Sequence, residues 1–330
     1  MGSTLLTIAI PTYNRADFLD LCLRRIVEEV VSLSPSEQSL VTVHVSNNAS
    51  TDDTRTILDR YQNSNKLNLK VVHQSANVGA NRNIAHCYQS ATTPYVWVMG
   101  DDDVILHGGL QQVLEQLQSR KVDVLYLNGY PYDKNYLDEP TWGTGQHGTI
   151  LHPSADHFVQ HTHVNLTFIT ALVVRSGVSL KNYVSILEET SLPQLSWVFT
   201  LVRDGAIFVT LKTRIYAGRM DNSGGYGAFE VFGRQLPSIA HTFFGAASKI
   251  FQSIENGLIV VWFPIHLMNV KYGKSRYLPE NIDRELQHAF DGNWRFYIFL
   301  FPLIHLPKGF ARMYLQLLRV VRRVFTGVLI

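Results

Sequence analysis

Cysteine is almost missing from this chain, with only Cys22 and Cys87 among 330 residues. Two thiols so far apart build neither a disulfide framework nor a cysteine zinc site, and a reducing cytoplasm suits them. An excess of either charge is missing as well. Lys and Arg number 29 against 27 Asp and Glu, a net charge of +2, so the whole chain makes no case for nucleic-acid binding. Long apolar runs are short of what a bilayer needs. The longest uncharged ones, Asn256 to Val270 and Phe296 to Pro307, extend over 15 and 12 residues and contain proline, whereas a spanning helix takes about 20. The N-terminus leads straight into Leu5–Ile10 with no basic stretch before it and no small-residue cleavage site after it, which does not resemble a signal peptide. No internal repeat and no low-complexity tract is present.

What remains is a globular composition tilted toward the apolar side, 46% hydrophobic and 17% charged, so part of the surface is expected to meet something other than water. The length suits one large α/β domain plus an appended segment. In the first hundred residues strand-like runs (Leu5–Ile10, Val41–Val45, Leu69–His73, Tyr95–Met99) alternate with helical patterns (Asp17–Ser32, Asp52–Asn63, Gly79–Ala91). That order predicts a mostly parallel, Rossmann-like sheet with flanking helices. A helix at Gly108–Ser119 and strands at Val122–Leu127, Phe168–Val174 and Ala206–Leu211 follow, with a helix at about 193–203 and long loops over 130–163. The expected division is a catalytic domain over 1–230, with a nucleotide-binding half (1–105) and an acceptor half (106–230), and a helical region over 231–330.

Ligands of such sheets bind beyond the carboxyl ends of the strands, where the polar clusters of this sequence gather. The fourth strand ends in Asp101-Asp102-Asp103. Three adjacent carboxylates repel one another, and burial adds to the cost. A divalent ion removes that cost, since Mg²⁺ or Mn²⁺ takes one or two carboxylates and completes its shell with water and phosphate oxygens. Alone, the run reads equally well as a solvated acidic turn with Asp103 as a helix cap. Three further loops surround it: Pro11-Thr12-Tyr13-Asn14-Arg15 after the first strand, Asn47-Asn48-Ala49-Ser50-Thr51-Asp52 after the second, and Asn77-Val78-Gly79-Ala80-Asn81-Arg82-Asn83 after the third.

On these four motifs, in this order and spacing over about residues 5 to 215, the sequence resembles the family 2 glycosyltransferases, which have the GT-A fold. The resemblance implies a nucleotide-sugar donor and assigns roles. Pro11, Thr12, Tyr13 and Asn14 would line the nucleoside pocket with Asn47 beside the base. Asn77 and Gly79 would shape the turn that presents Arg82 to the ribose and diphosphate. Asp101 and Asp102 would meet the donor, Asp102 among the catalytic groups, and Asp103 with Asp101 would hold Mn²⁺ or Mg²⁺. The O-antigen members, including those resembling abequosyltransferases, have a similar Asn-Ala-Ser loop. They imply transfer to a polyprenyl-diphosphate-linked saccharide at the inner face of the plasma membrane.

The departures bear on mechanism. The family pattern Asp-x-Asp-Asp leaves Gly100 at its first position. Asn47 replaces a common aspartate, and an asparagine amide can donate to the N3 of cytosine, which an aspartate cannot; Asn47 reads equally as a helix cap. The acceptor-side base of inverting members would fall near Pro193-Gln194, and glutamine is no base. Glu188 and Glu189, upstream, are the candidates, or else a solvated pair. The histidine that often follows the last strand as a metal ligand is absent near Tyr216-Ala217. Histidines 152, 157, 161 and 163 fit no metal-ligand spacing and read as loop or acceptor-site surface. The glycine-rich segment Gly218–Gly227 could serve as a lid.

Near the C-terminus Lys308, Arg312, Gln316, Arg319 and Arg323 fall on one helical stripe, with Phe310, Met313, Leu317, Val320, Val321, Val324 and Phe325 around it. A basic stripe beside an apolar face suits an interfacial helix on anionic lipid, or a helix packed on the protein itself. Trp294, Phe296, Tyr297 and Phe299 add aromatic weight suited to headgroup depth. Two rivals stand beside the glycosyltransferase reading. A nucleotidyltransferase would carry a glycine-rich phosphate loop where Pro11-Thr12-Tyr13-Asn14 stands; a non-catalytic sugar- or lipid-binding scaffold is compatible with the missing base.

Overall fold

The structure is a computed structural model that describes residues 4–141, 144–220, 225–275, 277–278 and 280–326, with side chains to residue 319 in the last helix. The chain divides into two compact units, one comprising 1–158 and 165–221, the other 159–164 and 222–330.

The first unit is built on a nine-stranded sheet: β1 (Leu6–Thr12), β2 (Val41–Asn47), β3 (Leu69–His73), β4 (Tyr95–Val98), β5 (Val104–Ile105), β6 (Val124–Tyr132), β7 (Thr149–His152), β8 (Leu172–Arg175) and β9 (Phe208–Arg219). Their order is β3-β2-β1-β4-β8-β6-β9-β5, with β7 on β9. The first four are mutually parallel, as the alternation predicts. The sheet as a whole is mixed rather than mostly parallel, because β8 runs antiparallel to both β4 and β6, and β5 and β7 run antiparallel to β9. Nothing in short apolar runs such as Leu172-Val173-Val174 encodes direction.

β1 and β2 are buried along almost their whole length, and β2 is buried on both faces although its sequence, Val41-Thr42-Val43-His44-Val45-Ser46, alternates. Helix Ala16–Ser32 covers them with Leu19, Cys22, Leu23, Ile26 and Val30, spaced for one helical face. Each such aliphatic side chain contributes about 1.5–3 kcal/mol on burial. The 130–163 interval is less loop-like than expected: β6 runs on to Tyr132, and β7 and helix Ala155–Thr162 lie within it. Phe168–Val174 begins as a tight turn at Ile169–Ala171 before β8.

β9 is twice the expected length. Its pairing with β6 slips between Leu127 and Gly129, where Asn128 Nδ2 donates to Lys212 O at 2.7 Å. The bulge bends β9 so that its second half pairs with β5 and ends at Arg219. Gly129 sits in this bend, where an added Cβ would meet the Tyr216 ring at 2.5 Å and Tyr216 O at 2.6 Å. Gly129→Ala is therefore expected to cost about 1–3 kcal/mol, read as a lowered urea midpoint. An unchanged midpoint would show that the bend tolerates a side chain.

The second unit is helical. Two π-helical turns, Val231–Gln235 and Leu258–Trp262, lie just before Pro237 and Pro264. A proline lacks the N–H and crowds the carbonyl four residues back, and a widened turn relieves both. The helix accordingly passes through Pro264 and runs unbroken over Lys249–Lys271, 23 residues. By length and composition alone this one is long enough to cross a bilayer, contrary to the run-length reading, and 39% of its most apolar window is buried.

Helix Lys308–Thr326 shows three faces. Ala311 and Leu318 are buried, Phe310, Met313 and Leu317 form an exposed apolar stripe, and Lys308, Arg312, Gln316 and Arg319 are exposed on a third side. The expected contributions of Val320, Val321, Arg323, Val324 and Phe325 lie outside the described side chains. Trp294 and Tyr297 are exposed, but Phe296 is a core residue.

Candidate functional site

The carboxyl ends of β1 and β4 meet at the acidic run, with the end of β2 beside that of β1. Thr12, the last residue of β1, donates from Oγ1 to Asp101 Oδ2 at 2.7 Å. Arg15, from the loop after it, reaches both Asp101 (3.1 Å) and Asp102 (2.6 Å) through separate terminal nitrogens. Asp103 accepts from the Thr170 hydroxyl and, at 2.9 Å, from the backbone N–H of Arg219. Thr170 is itself fixed, its Oγ1 accepting from Gly100 N at 2.9 Å and its carbonyl from Trp97 Nε1 at 2.9 Å. Tyr132 donates to Asp102 O at 2.7 Å. The three aspartates are 3, 7 and 3% exposed, so the solvated acidic turn is excluded.

Burial pushes the Asp101 carboxyl up to about 7, against the pull of Arg15. Burial and the neighbouring Asp102 charge raise Asp103 likewise. These are hard oxygen ligands short of positive charge, and a divalent cation fits them chemically. Arg15 supplies part of that charge here, and among the described residues no group of three or more His, Cys, Asp or Glu is arranged as a metal cage. Gly100 has a physical reason: a Cβ there would lie 2.9 Å from Asp102 Oδ1 and 3.0 Å from Asp103 Oδ2. An aspartate at that position would crowd a fourth carboxylate into the cluster.

The nucleoside side is built from loops that brace one another. Asn14 holds a left-handed φ of 51° and its Oδ1 accepts from Thr51 N at 2.7 Å, while its own N–H donates to Ser50 Oγ at 2.9 Å. Asn47 Oδ1 accepts from Ser50 N at 3.0 Å, and its Nδ2 faces His73 Nδ1 at 3.1 Å. Tyr13, beside Pro11, is 41% exposed, an open ring at the mouth of these loops. Asn77 Oδ1 accepts from Gly79 N and from Asn48 Nδ2, both at 2.9 Å, and Gly79 takes a φ of 86°. Asn77 and Gly79 thus shape the third loop.

Two further expected residues meet each other. Arg82, 63% exposed, pairs with Glu188, and Glu189 is exposed on helix Val184–Glu189. Gln194 is buried with its amide donating to Thr167 O, turned away from any acceptor. His152 is buried at the end of β7, bonded to Thr210 Oγ1 at 2.9 Å and to His157 at 2.8 Å. Within the segment considered as a lid, residues 221–224 lie outside the described residues. Sequence reasoning gave no role to Arg15, Phe18, Thr170 or Arg219. Arg15 was visible beside Asn14, but Arg219 reaches the site only through the bulge in β9.

A sheet of this order with an acidic run closing its fourth strand is the GT-A arrangement. Residues 7–176 match the profile of "Glycosyl transferase family 2", and the chain belongs to that family. Among curated relatives, it is 30% identical over 117 residues to abequosyltransferase RfbV of Salmonella typhimurium, covering 35% of this chain and 33% of that one. It is 24% identical over 144 residues to glycosyltransferase GlyG of Streptococcus pneumoniae, 44% and 45% of the two chains. The matches thus span less than half the length of these relatives. Among solved structures, S. aureus TarS 1-349 in complex with UDP-GlcNAc superposes with a TM-score of 0.59 at 15% identity, over 98% of this chain and 92% of that one. The mannosyltransferase PcManGT of Pyrobaculum calidifontis, in complex with GDP-Man and Mn²⁺, does so at 0.52 and 15% identity, over 98% and 88%.

Proposed function

We propose that this protein transfers a sugar from a UDP- or CDP-sugar to a lipid-linked saccharide in bacterial surface polysaccharide synthesis of the O-antigen type. The observation that carries the reading is the convergence of Thr12, Arg15 and the braced Asn14 and Asn47 loops on three buried aspartates. Asp101 to Asp103 would hold Mn²⁺ or Mg²⁺, which would neutralise charge on the departing nucleoside diphosphate. The chain's own part is to stack the base on Tyr13, to fix the diphosphate beside the acidic run, and to keep water from the carboxylates through Thr170 and Tyr132. Glu188 and Glu189 are the candidate acceptor bases, since Gln194 is sealed inside. That sealing also favours a second reading, a donor-binding scaffold without turnover. Turnover of a nucleotide-sugar panel separates the two.

The orientation of Asn47 bears on the donor. Asn47 is 3% exposed, with its Oδ1 accepting from Ser50 N–H and its Nδ2 meeting His73 Nδ1 at 3.1 Å, so what it would offer a ligand is the second hydrogen of Nδ2, a donor. A donor matches N3 of cytosine and opposes N3–H of uracil. CDP is therefore expected to bind about tenfold tighter than UDP, and Asn47→Asp to reverse the order in competition titrations; a clear UDP preference in the natural chain would remove the cytidine reading.

For a lipid-linked acceptor, the exposed Phe310, Met313 and Leu317 stripe beside Lys308, Arg312 and Arg319 supports docking on an anionic cytoplasmic leaflet. Sedimentation with phosphatidylglycerol vesicles is expected to fall sharply in a Phe310→Ser, Met313→Ser, Leu317→Ser variant. Unchanged partitioning would defeat this role.

A further inference from the structure

The first unit holds a cavity of about 380 Å³ that none of the donor-loop residues lines, a volume at the small end of small-molecule sites. Its wall is drawn from helix Ala16–Ser32 (Arg25), the turn after β5 (Leu106), the stretch after β6 (Tyr136), the loop at 144–147 (Gln146) and the bulge of β9 (Thr213, Arg214). Its two arginines are engaged within the wall. Arg25 donates to Glu28, Glu29 and the Ile105 carbonyl, and Arg214 to Glu139 and the Pro140 carbonyl. With their charge met by carboxylates, the cavity makes no demand for an anion. What is left to a ligand carries no fixed charge. The side chains of Gln146 and Thr213 make no hydrogen bond among the described residues, and Leu106 and the half-buried Tyr136 ring supply apolar surface beside them. The Tyr136 ring is held in place: the Arg25 guanidinium stands 5.8 Å from its centre, Tyr132 meets it edge-on at 6.4 Å, and the Tyr136 carbonyl accepts from the Tyr130 hydroxyl. Neutral amide and hydroxyl groups beside a rigid aromatic face suit a sugar, whose hydroxyls bond the polar groups while its C–H face packs on the ring. Tyr132 also ties the cavity to the acidic run, its hydroxyl donating to Asp102 O at 2.7 Å.

We propose that this cavity is a separate saccharide subsite, taking one neutral sugar of the acceptor glycan beyond the sugar that reacts. The proposal draws its ligand class from the sugar-transfer reading above, and its test separates the two. The full chain is titrated, by ligand-observed NMR, with the methyl glycosides of glucose, galactose, mannose, rhamnose and N-acetylglucosamine, with and without saturating CDP or UDP. At least one glycoside is expected to bind, equally well with nucleotide present, and inorganic phosphate is expected not to compete. Tyr136→Ala, which keeps the carbonyl that anchors Tyr130, should weaken that glycoside about tenfold. Gln146→Ala, on the surface, should weaken it several-fold, while Tyr136→Phe keeps the ring and the natural affinity. Binding of none of the five overturns the subsite, as does displacement by CDP, UDP or phosphate, or unchanged affinity in both Tyr136→Ala and Gln146→Ala. Nucleotide binding without glycoside binding removes the subsite and leaves the donor site standing. Glycoside binding without nucleotide binding removes the donor-site reading and leaves the subsite.

Discussion

Asp102→Asn is expected to lower sugar transfer by about three orders of magnitude while the protein stays folded. Asparagine has the shape of aspartate and still accepts from Arg15, so the 2.6 Å contact survives as a neutral hydrogen bond. What would be lost is the charge proposed to face the leaving diphosphate and its counter-ion, and preorganised charge of this kind is worth about 3–4 kcal/mol in a water-poor site. Initial rates with saturating donor and Mn²⁺, alongside a melting curve, check both halves. A variant within tenfold of the natural enzyme would take Asp102 out of the chemistry. Asp103→Ala is less informative, because it strands the Thr170 hydroxyl and the Arg219 N–H, and each buried orphan costs about 1–3 kcal/mol.

The second large effect is on pH. Burial holds the Asp101 carboxyl at about 7, well above its ordinary value near 4, and Asp103 is raised for the same first reason. The folded protein therefore binds protons that the unfolded chain has already released. The stability tied to these protons is complete below about pH 4 and is lost as pH climbs through Asp101's folded value. Without metal, the melting temperature of the first unit is expected to fall by about 5 °C or more between pH 5 and pH 8. A divalent ion added with nucleoside diphosphate needs the ionised carboxylates, so its stabilisation should be much larger at pH 8 than at pH 6. A flat metal-free profile, or equal stabilisation at both pH values, would show that the aspartates are ionised throughout.

Much of the first hundred residues was legible because the information there is local. Strands β1 to β4 are short runs rich in β-branched, aliphatic and aromatic residues, each followed by polar turn residues, and Leu69–His73 was recovered to the residue. Residues 106–220 were less legible because their information is tertiary. β8 and β6 pair with strands distant in sequence, and the bulge at Lys212 breaks the two-residue alternation that would have carried β9 on to Arg219. The same limit applies to single residues. Arg15 was in view beside Asn14, yet its reach to Asp101 and Asp102 depends on a left-handed turn at Asn14. For Asn47 the sequence left open a cap or a base contact, and its bonds to Ser50 N–H and His73 Nδ1 are tertiary facts no local pattern carries. For the Lys249–Lys271 helix, proline was read as a break where the π-turn absorbs it.

The Arg15 contact to Asp101 and Asp102 has a bearing on supply. Many acidic metal pockets are unstable when empty, so that their proteins unfold or are degraded when the ion is scarce. Here part of the counter-charge is written into the chain, so a metal-free site would be opposed less than three bare carboxylates. On the proposed metal-assisted reading, scarcity of manganese or magnesium would then idle the protein without destroying it, and activity would return on resupply with no new synthesis.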